Sequence, residues 1–197
     1  MGFSDDQIKL LREIINGGVV RAGDILNEMV DSKIKLEIPK LNIFEGKSIS
    51  NTKELKESGI SSIVRLDFSG SIEGSSLLVF PYQSAMKFVS GLTGEDAGSE
   101  GFGMLLEEAV TEIGNIVLNN VMGSITNAIN CTVNYEVPIF KNEEISEILK
   151  MEIANFKTSI LKAETKFYIE EIQVEGEIFV FLNYEATNEI LLIQTSK

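Results

Sequence analysis

Residues 104–138 read MLLEEAVTEIGNIVLNNVMGSITNAINCTVNYEVP: a long stretch of helix formers, a short strand-like stretch and a proline. Residues 5–39, DDQIKLLREIINGGVVRAGDILNEMVDSKIKLEIP, pass through the same order in the same number of residues. In this earlier segment Ile8, Leu11, Ile15, Val19, Ala22, Leu26 and Met29 fall at spacings of three and four. That spacing makes one apolar stripe and predicts a helix from about Ser4 to Val30. Ser4, followed by Asp5 and Asp6, supplies a hydroxyl N-cap and an acidic first turn. Ile34, Leu36 and Ile38 then alternate with Lys35 and Glu37, a strand that Pro39 is expected to stop. In the later segment Met104 to Ile129 is the corresponding long helix. Thr132 to Val137 is the corresponding strand, closed by Pro138.

Subtraction turns this likeness into a repeat. Glu13 and Glu112, Asn16 and Asn115, Glu37 and Glu136, and Pro39 and Pro138 all stand at an offset of 99. Further on, Ile72-Glu73-Gly74 matches Val174-Glu175-Gly176 at an offset of 102, as a three-residue loop insertion would give. Between the segments, Ile63–Phe68 and Leu77–Phe80 read as a hairpin around Ser69-Gly70 and Glu73-Gly74. Tyr82 to Leu92 suits a short helix, and the Gly-, Glu- and Asp-rich Thr93–Gly103 a linker. Strands are expected around Lys150–Ala154, Thr165–Ile172 and Glu177–Leu182, with a closing helix from Tyr184 to Ile193. The expectation is an α+β chain of two repeats, about 1–98 and 99–197. They should be related by a pseudo-two-fold axis and fused into one sheet with the helices over a face. Each half alone has too little core.

Composition prunes the chemistry. The 197 residues contain no His, which removes Ser-His-Asp and Cys-His nucleophile systems and most zinc sites. The one cysteine, Cys131, excludes an intrachain disulfide and reads as a small apolar residue at a strand entry. No Walker loop and no Gly-x-Gly-x-x-Gly occurs. A net charge of −13 repels phosphate backbones and argues against nucleic-acid binding. Neither a signal peptide nor an apolar span of membrane length is legible, so a cytoplasmic protein without membrane contact is expected. Carboxylates, amides and hydroxyls remain as the working groups.

The repeated element is Glu-x-x-Asn, then twenty-two residues, then Pro. Glu13 and Asn16, like Glu112 and Asn115, are three apart and share a helix face away from the apolar stripe. A single Glu-x-x-Asn is common on polar helix faces. Two copies at one offset, each with its proline, are not. This pattern resembles the signature of the CheC, CheX and FliY phosphatases of chemotaxis. Glu112-Ile113-Gly114-Asn115-Ile116 matches the family's usual wording, and two copies in about this length resemble two-site CheC. Two positions depart from it. Where the family has Asp or Ser four residues before the Glu, this chain has Lys9 and Glu108. Gly17 and Gly18 after Asn16 are expected to loosen the first helix. Both features make the second copy the better match.

The resemblance implies antiparallel strands with both site-bearing helices exposed on one face. It implies hydrolysis of the aspartyl-phosphate on a CheY-like response regulator. Asn16 and Asn115 would orient the attacking water, as an amide can accept and donate at once. Glu13 and Glu112 would dock the receiver's lysine. The prolines would be structural. The chain would need no cofactor of its own, because the receiver brings its Mg²⁺. A CheD-like deamidase is the family's second partner. Two rival expectations are a non-enzymatic interaction module of the chemotaxis or flagellar-switch system, and a small-molecule-binding domain, which would need a deep apolar pocket.

Overall fold

A computed structural model describes residues 4–29, 33–45, 59–155, 158–169 and 172–183. The first helix, α1 (Asp5–Met29), forms on the stripe read above: Leu11, Ile15, Val19, Ala22 and Leu26 are all buried. Its start is a reciprocal cap. The Gln7 N–H donates to Ser4 Oγ at 3.3 Å and the Ser4 N–H donates to Gln7 Oε1 at 2.8 Å. Then come β1 (Ile34–Glu45), the hairpin β2 (Ile60–Gly70) and β3 (Gly74–Pro81), and α2 (Tyr82–Thr93). The second long helix, α3 (Phe102–Ala128), leads to β4 (Val133–Tyr135), β5 (Ile139–Glu144), α4 (Ile145–Asn155), β6 (Thr158–Ile169) and β7 (Ile172–Asn183).

The strands of the described residues form one sheet, antiparallel at every pairing, in the order β1-β6-β7-β3-β2-β4, with β5 also pairing β2. The main core lies between one sheet face and α1, α2 and α3. Phe80, Phe88 and Phe167 pack together there, with ring centroids 4.8–5.7 Å apart; Phe80 stacks on Phe88, and Phe167 meets both at an angle. The other face carries a second cluster, in which Ile145, Ile148 and Leu149 of α4 cover Ile63, Leu77, Val79, Phe179 and Phe181. The central strands are therefore buried on both sides, which is why Leu77–Phe80 and Ile178–Leu182 are continuous apolar runs.

Four expectations are corrected. Lys150–Ala154 is helix, because Ile145, Ile148, Leu149 and Glu152 recur at spacings of three and four and are all buried. Pro39 does not stop its strand. Glu37 faces Lys166 and Lys40 faces Glu164, so three steps along β1 match two along β6, a one-residue bulge at the proline. The strand expected over Thr132–Val137 shortens to Val133–Tyr135 and ends before Pro138. Tyr135 faces Phe68 and Ile139 faces Arg65, four steps against three, and pairing with β2 resumes as β5. Pro39 sits on the edge strand β1 and Pro138 in the gap between β4 and β5 on the other edge, where a missing N–H costs no ladder bond. Finally, Thr93–Gly103 is no loose linker. Ser90 Oγ donates to the Glu95 carbonyl, Asp96 Oδ1 accepts from the Gly98 N–H, and Ala97 packs on the core. Tyr184–Ile193 lies outside the described residues.

Candidate functional site

The two long helices pack against each other, and glycines set how closely. A Cβ on Gly18 of α1 would stand 2.5 Å from the Asn120 carbonyl oxygen and 2.8 Å from Val121 Cα of α3. So Gly18 does not loosen α1. It removes the one atom that would hold the helices apart, and Arg21 then reaches across to hydrogen-bond Ser124. Gly114 does the same against the sheet: a Cβ there would lie 2.6 Å from Val64 Cβ of β2. Its neighbours Glu112 and Asn115 are thereby turned off the sheet. Gly114→Ala is expected to cost about 1–3 kcal/mol by overpacking, read as a lower urea midpoint at unchanged slope.

Each predicted pair lies on a helix face that the sheet does not cover. Glu13 and Glu112 are exposed, and Asn16 and Asn115 are half-buried. Among the described residues, no hydrogen bond or ion pair holds the side chains of Glu13, Asn16 or Glu112. They are open to whatever docks. Asn115 differs: its Oδ1 accepts from Asn119 Nδ2 at 2.7 Å. Asn119 lies outside the Glu-x-x-Asn motif. The signal that could have found it is a second amide one turn further on, at a spacing of four.

The surroundings of the two pairs also differ in charge. Lys9 and Glu13 line one shallow, open depression with Asp6 and Leu10. On α3 the position four residues before Glu112 is Glu108, exposed and acidic. A cation docking at α1 therefore meets the carboxylates of Asp6 and Glu13 with the Lys9 ammonium beside them. At α3 it meets two carboxylates.

Pro39 and Pro138, at the two bulges, are exposed and half-buried respectively. Around Pro138 the edge is apolar and open: Tyr135, Val137 and Ile139 are all exposed, Val137 by 80 %. A more enclosed cavity of about 220 Å³ lies where Pro39, Thr165, Lys166 and Gly176 meet Pro81 and Ile145. None of the four Glu and Asn side chains lines it. Cys131 is half-buried against the core. Among the described residues no helix is long and apolar enough to cross a membrane.

No protein-family model matches the chain. A match of nearly full length is to the CheY-P phosphatase CheC of Bacillus subtilis, 19 % identical over 202 residues, 97 % of this chain and 95 % of that protein. Among solved structures, FliY of Thermotoga maritima superposes with a TM-score of 0.73 at 16 % identity, covering 100 % of both chains. The CheX-CheY-BeF3-Mg complex of Borrelia burgdorferi matches with a TM-score of 0.53 at 22 % identity, over 87 % of this chain and 96 % of that one. The fold is theirs, and the sequence likeness to CheC runs from one end of the chain almost to the other. This chain is similar to CheC in sequence along nearly its whole length and shares its fold with FliY and CheX.

Proposed function

We propose that this protein is an aspartyl-phosphate phosphatase acting on a CheY-like receiver, with one site on α1 and one on α3. The observation that carries the reading is the pair of uncovered Glu-Asn sets on two packed helices. It is supported by the likeness to CheC over 97 % of the chain. The sheet order adds to it. Matching β1 to the β4–β5 edge, β2 to β6 and β3 to β7 makes the order read the same from both edges, and each edge carries its bulge at a proline. Two repeats, about 1–98 and 99–197, would build that arrangement.

The substrate is a mixed anhydride between phosphate and an aspartate carboxyl. Water oxygen forms a bond to phosphorus as the bond from phosphorus to the carboxyl oxygen breaks. The products are the free carboxylate and dihydrogen phosphate, which carries both protons of the water. The transition state is loose, so positioning supplies most of what the protein can give. Asn16 or Asn115 holds the water in line, accepting a hydrogen bond from it through Oδ1 and donating one to the phosphoryl group through Nδ2. Glu13 or Glu112, one turn earlier, pairs with the receiver's lysine and sets the register. The receiver brings its own Mg²⁺. A CheD-like deamidase is the second partner under this reading.

The test follows loss of labelled phosphate from a phosphorylated receiver with and without the protein. Glu112→Ala is expected to raise KM about three- to fivefold at low salt with little change in kcat, an effect that shrinks as salt rises. A second reading, a module that binds without hydrolysing, is favoured by the apolar edge at Tyr135, Val137 and Ile139. Receiver binding without faster label loss would select it.

A further inference from the structure

Asn119 lies one turn beyond Asn115 on α3. Its Nδ2 is 2.8 Å from the Asn115 carbonyl oxygen and 2.7 Å from Asn115 Oδ1. A backbone carbonyl only accepts, so the atom that Asn119 presents to it must be its amide nitrogen. The other N–H of that nitrogen meets the Asn115 side chain, and only an oxygen can accept there. The backbone thus fixes which way both side-chain amides point. Asn115 Oδ1 is held towards Asn119 with one lone pair left over, and Asn115 Nδ2 is turned away with both N–H groups to offer.

The other helix lacks this device. At the offset of 99 the counterpart of Asn119 is Val20, which donates nothing and is 47 % exposed. Among the described residues the Asn16 side chain has no hydrogen bond, so its amide is free to turn over. Two sites with the same Glu-x-x-Asn therefore differ one turn further along.

We infer that Asn119 is a positioning residue, which holds the Asn115 amide in one orientation and makes the α3 site preorganised where the α1 site is not. The inference rests on the phosphatase reading for its effect on rate. Ordering one amide rotor is worth about threefold to tenfold in rate.

The experiment isolates each site. In an Asn16→Ala background, where only α3 works, Asn119→Val is expected to lower kcat about threefold to tenfold with KM for the phosphorylated receiver unchanged. In an Asn115→Ala background, Val20→Asn is expected to raise kcat by a similar factor. Asn119→Asp cannot donate and turns the Asn115 amide over, so it should lower kcat further than Asn119→Val does. Unchanged kcat in both Asn119→Val and Val20→Asn would overturn the inference. A second readout does not depend on activity: the side-chain amide NMR signals of the full chain. The Asn115 amide should be ordered and should become mobile in Asn119→Val. The Asn16 amide should be mobile and should become ordered in Val20→Asn. Equal mobility of the two amides in the unsubstituted protein would sink the positioning claim. An ordered Asn115 in a protein that removes no phosphate would sink the phosphatase reading alone.

Discussion

Replacing Asn16 and Asn115 together by alanine is expected to slow receiver dephosphorylation by about 100-fold or more, the scale of losing an oriented reactant. The protein should stay folded. Both side chains are half-buried, Asn16 makes no side-chain hydrogen bond among the described residues, and Asn115→Ala leaves Asn119 its backbone contact at 2.8 Å. Receiver binding should also survive, because docking is assigned to Glu13 and Glu112. The single substitutions should be unequal, with Asn115→Ala removing more of the rate than Asn16→Ala. Two observations point the same way. The α3 amide is held by Asn119, and the α1 carboxylate shares its depression with Lys9, which would repel an incoming lysine. Equal loss from the two single substitutions would mean that neither difference matters. A double variant with undiminished rate would remove the amides from the chemistry. Initial rates of label loss with each variant at matched receiver concentration decide among these outcomes.

The second large effect is on stability and belongs to the opposite face of the sheet. Arg65 of β2 turns away from Val64 and Leu66, which belong to the helix-side core, and joins two carboxylates. Its Nε donates to Asp67 Oδ1 and Oδ2 at 2.9 and 3.1 Å, and its guanidinium also pairs with Glu152 of α4. The Glu152 side chain is only 4 % exposed, and its Oε2 has no hydrogen-bond partner among the described residues. Arg65 is thus the group that neutralises a carboxylate shut under α4. Arg65→Leu is expected to destabilise by about 3 kcal/mol, because it leaves that charge uncompensated. For a chain of this size such a loss lowers Tm by about 6–12 °C. Arg65→Leu with Glu152→Leu should recover most of the loss, since an apolar pair of similar volume removes the charge and its desolvation cost together. Thermal unfolding of the single and double variants measures both. No recovery in the double variant would show that α4 is held by something other than this pair.

What the sequence made legible, and what it hid, follows from where each signal lives. The stripe from Ile8 to Met29 and the Ser4 cap are local patterns with the period of one helix; the cap is found as read, and the stripe is buried from Leu11 to Leu26 while Met29 at its end is exposed. The two Glu-x-x-Asn elements were legible because subtraction at one offset does not depend on knowing the fold. The strands after the prolines were hidden by a rule that holds only inside a sheet. Pro39 and Pro138 read as stops, yet on an edge strand each needs only a bulge, and which strands are edges is a property of the whole chain. The α4 helix is hidden because its buried face, Ile145, Ile148, Leu149 and Glu152, spans only about two turns and ends on a carboxylate. Gly17 and Gly18 were read by intrinsic propensity, which is blind to the partner helix that Gly18 admits. Asn119 is hidden because a repeat displays only what the two halves share, and its counterpart is Val20. The feature that distinguishes the two amides lies at a position where the halves differ.

Under the proposed function, two uncovered helix faces each aim a water at a receiver's aspartyl-phosphate. The most direct test is multiple-turnover phosphate release, with a phosphorylated CheY-like receiver and its Mg²⁺ in excess over this protein. Each molecule of the protein is expected to release many phosphates, at a rate well above the receiver's own and lost in the Asn16→Ala, Asn115→Ala double variant. Receiver that binds and keeps its phosphate for its ordinary lifetime would contradict it.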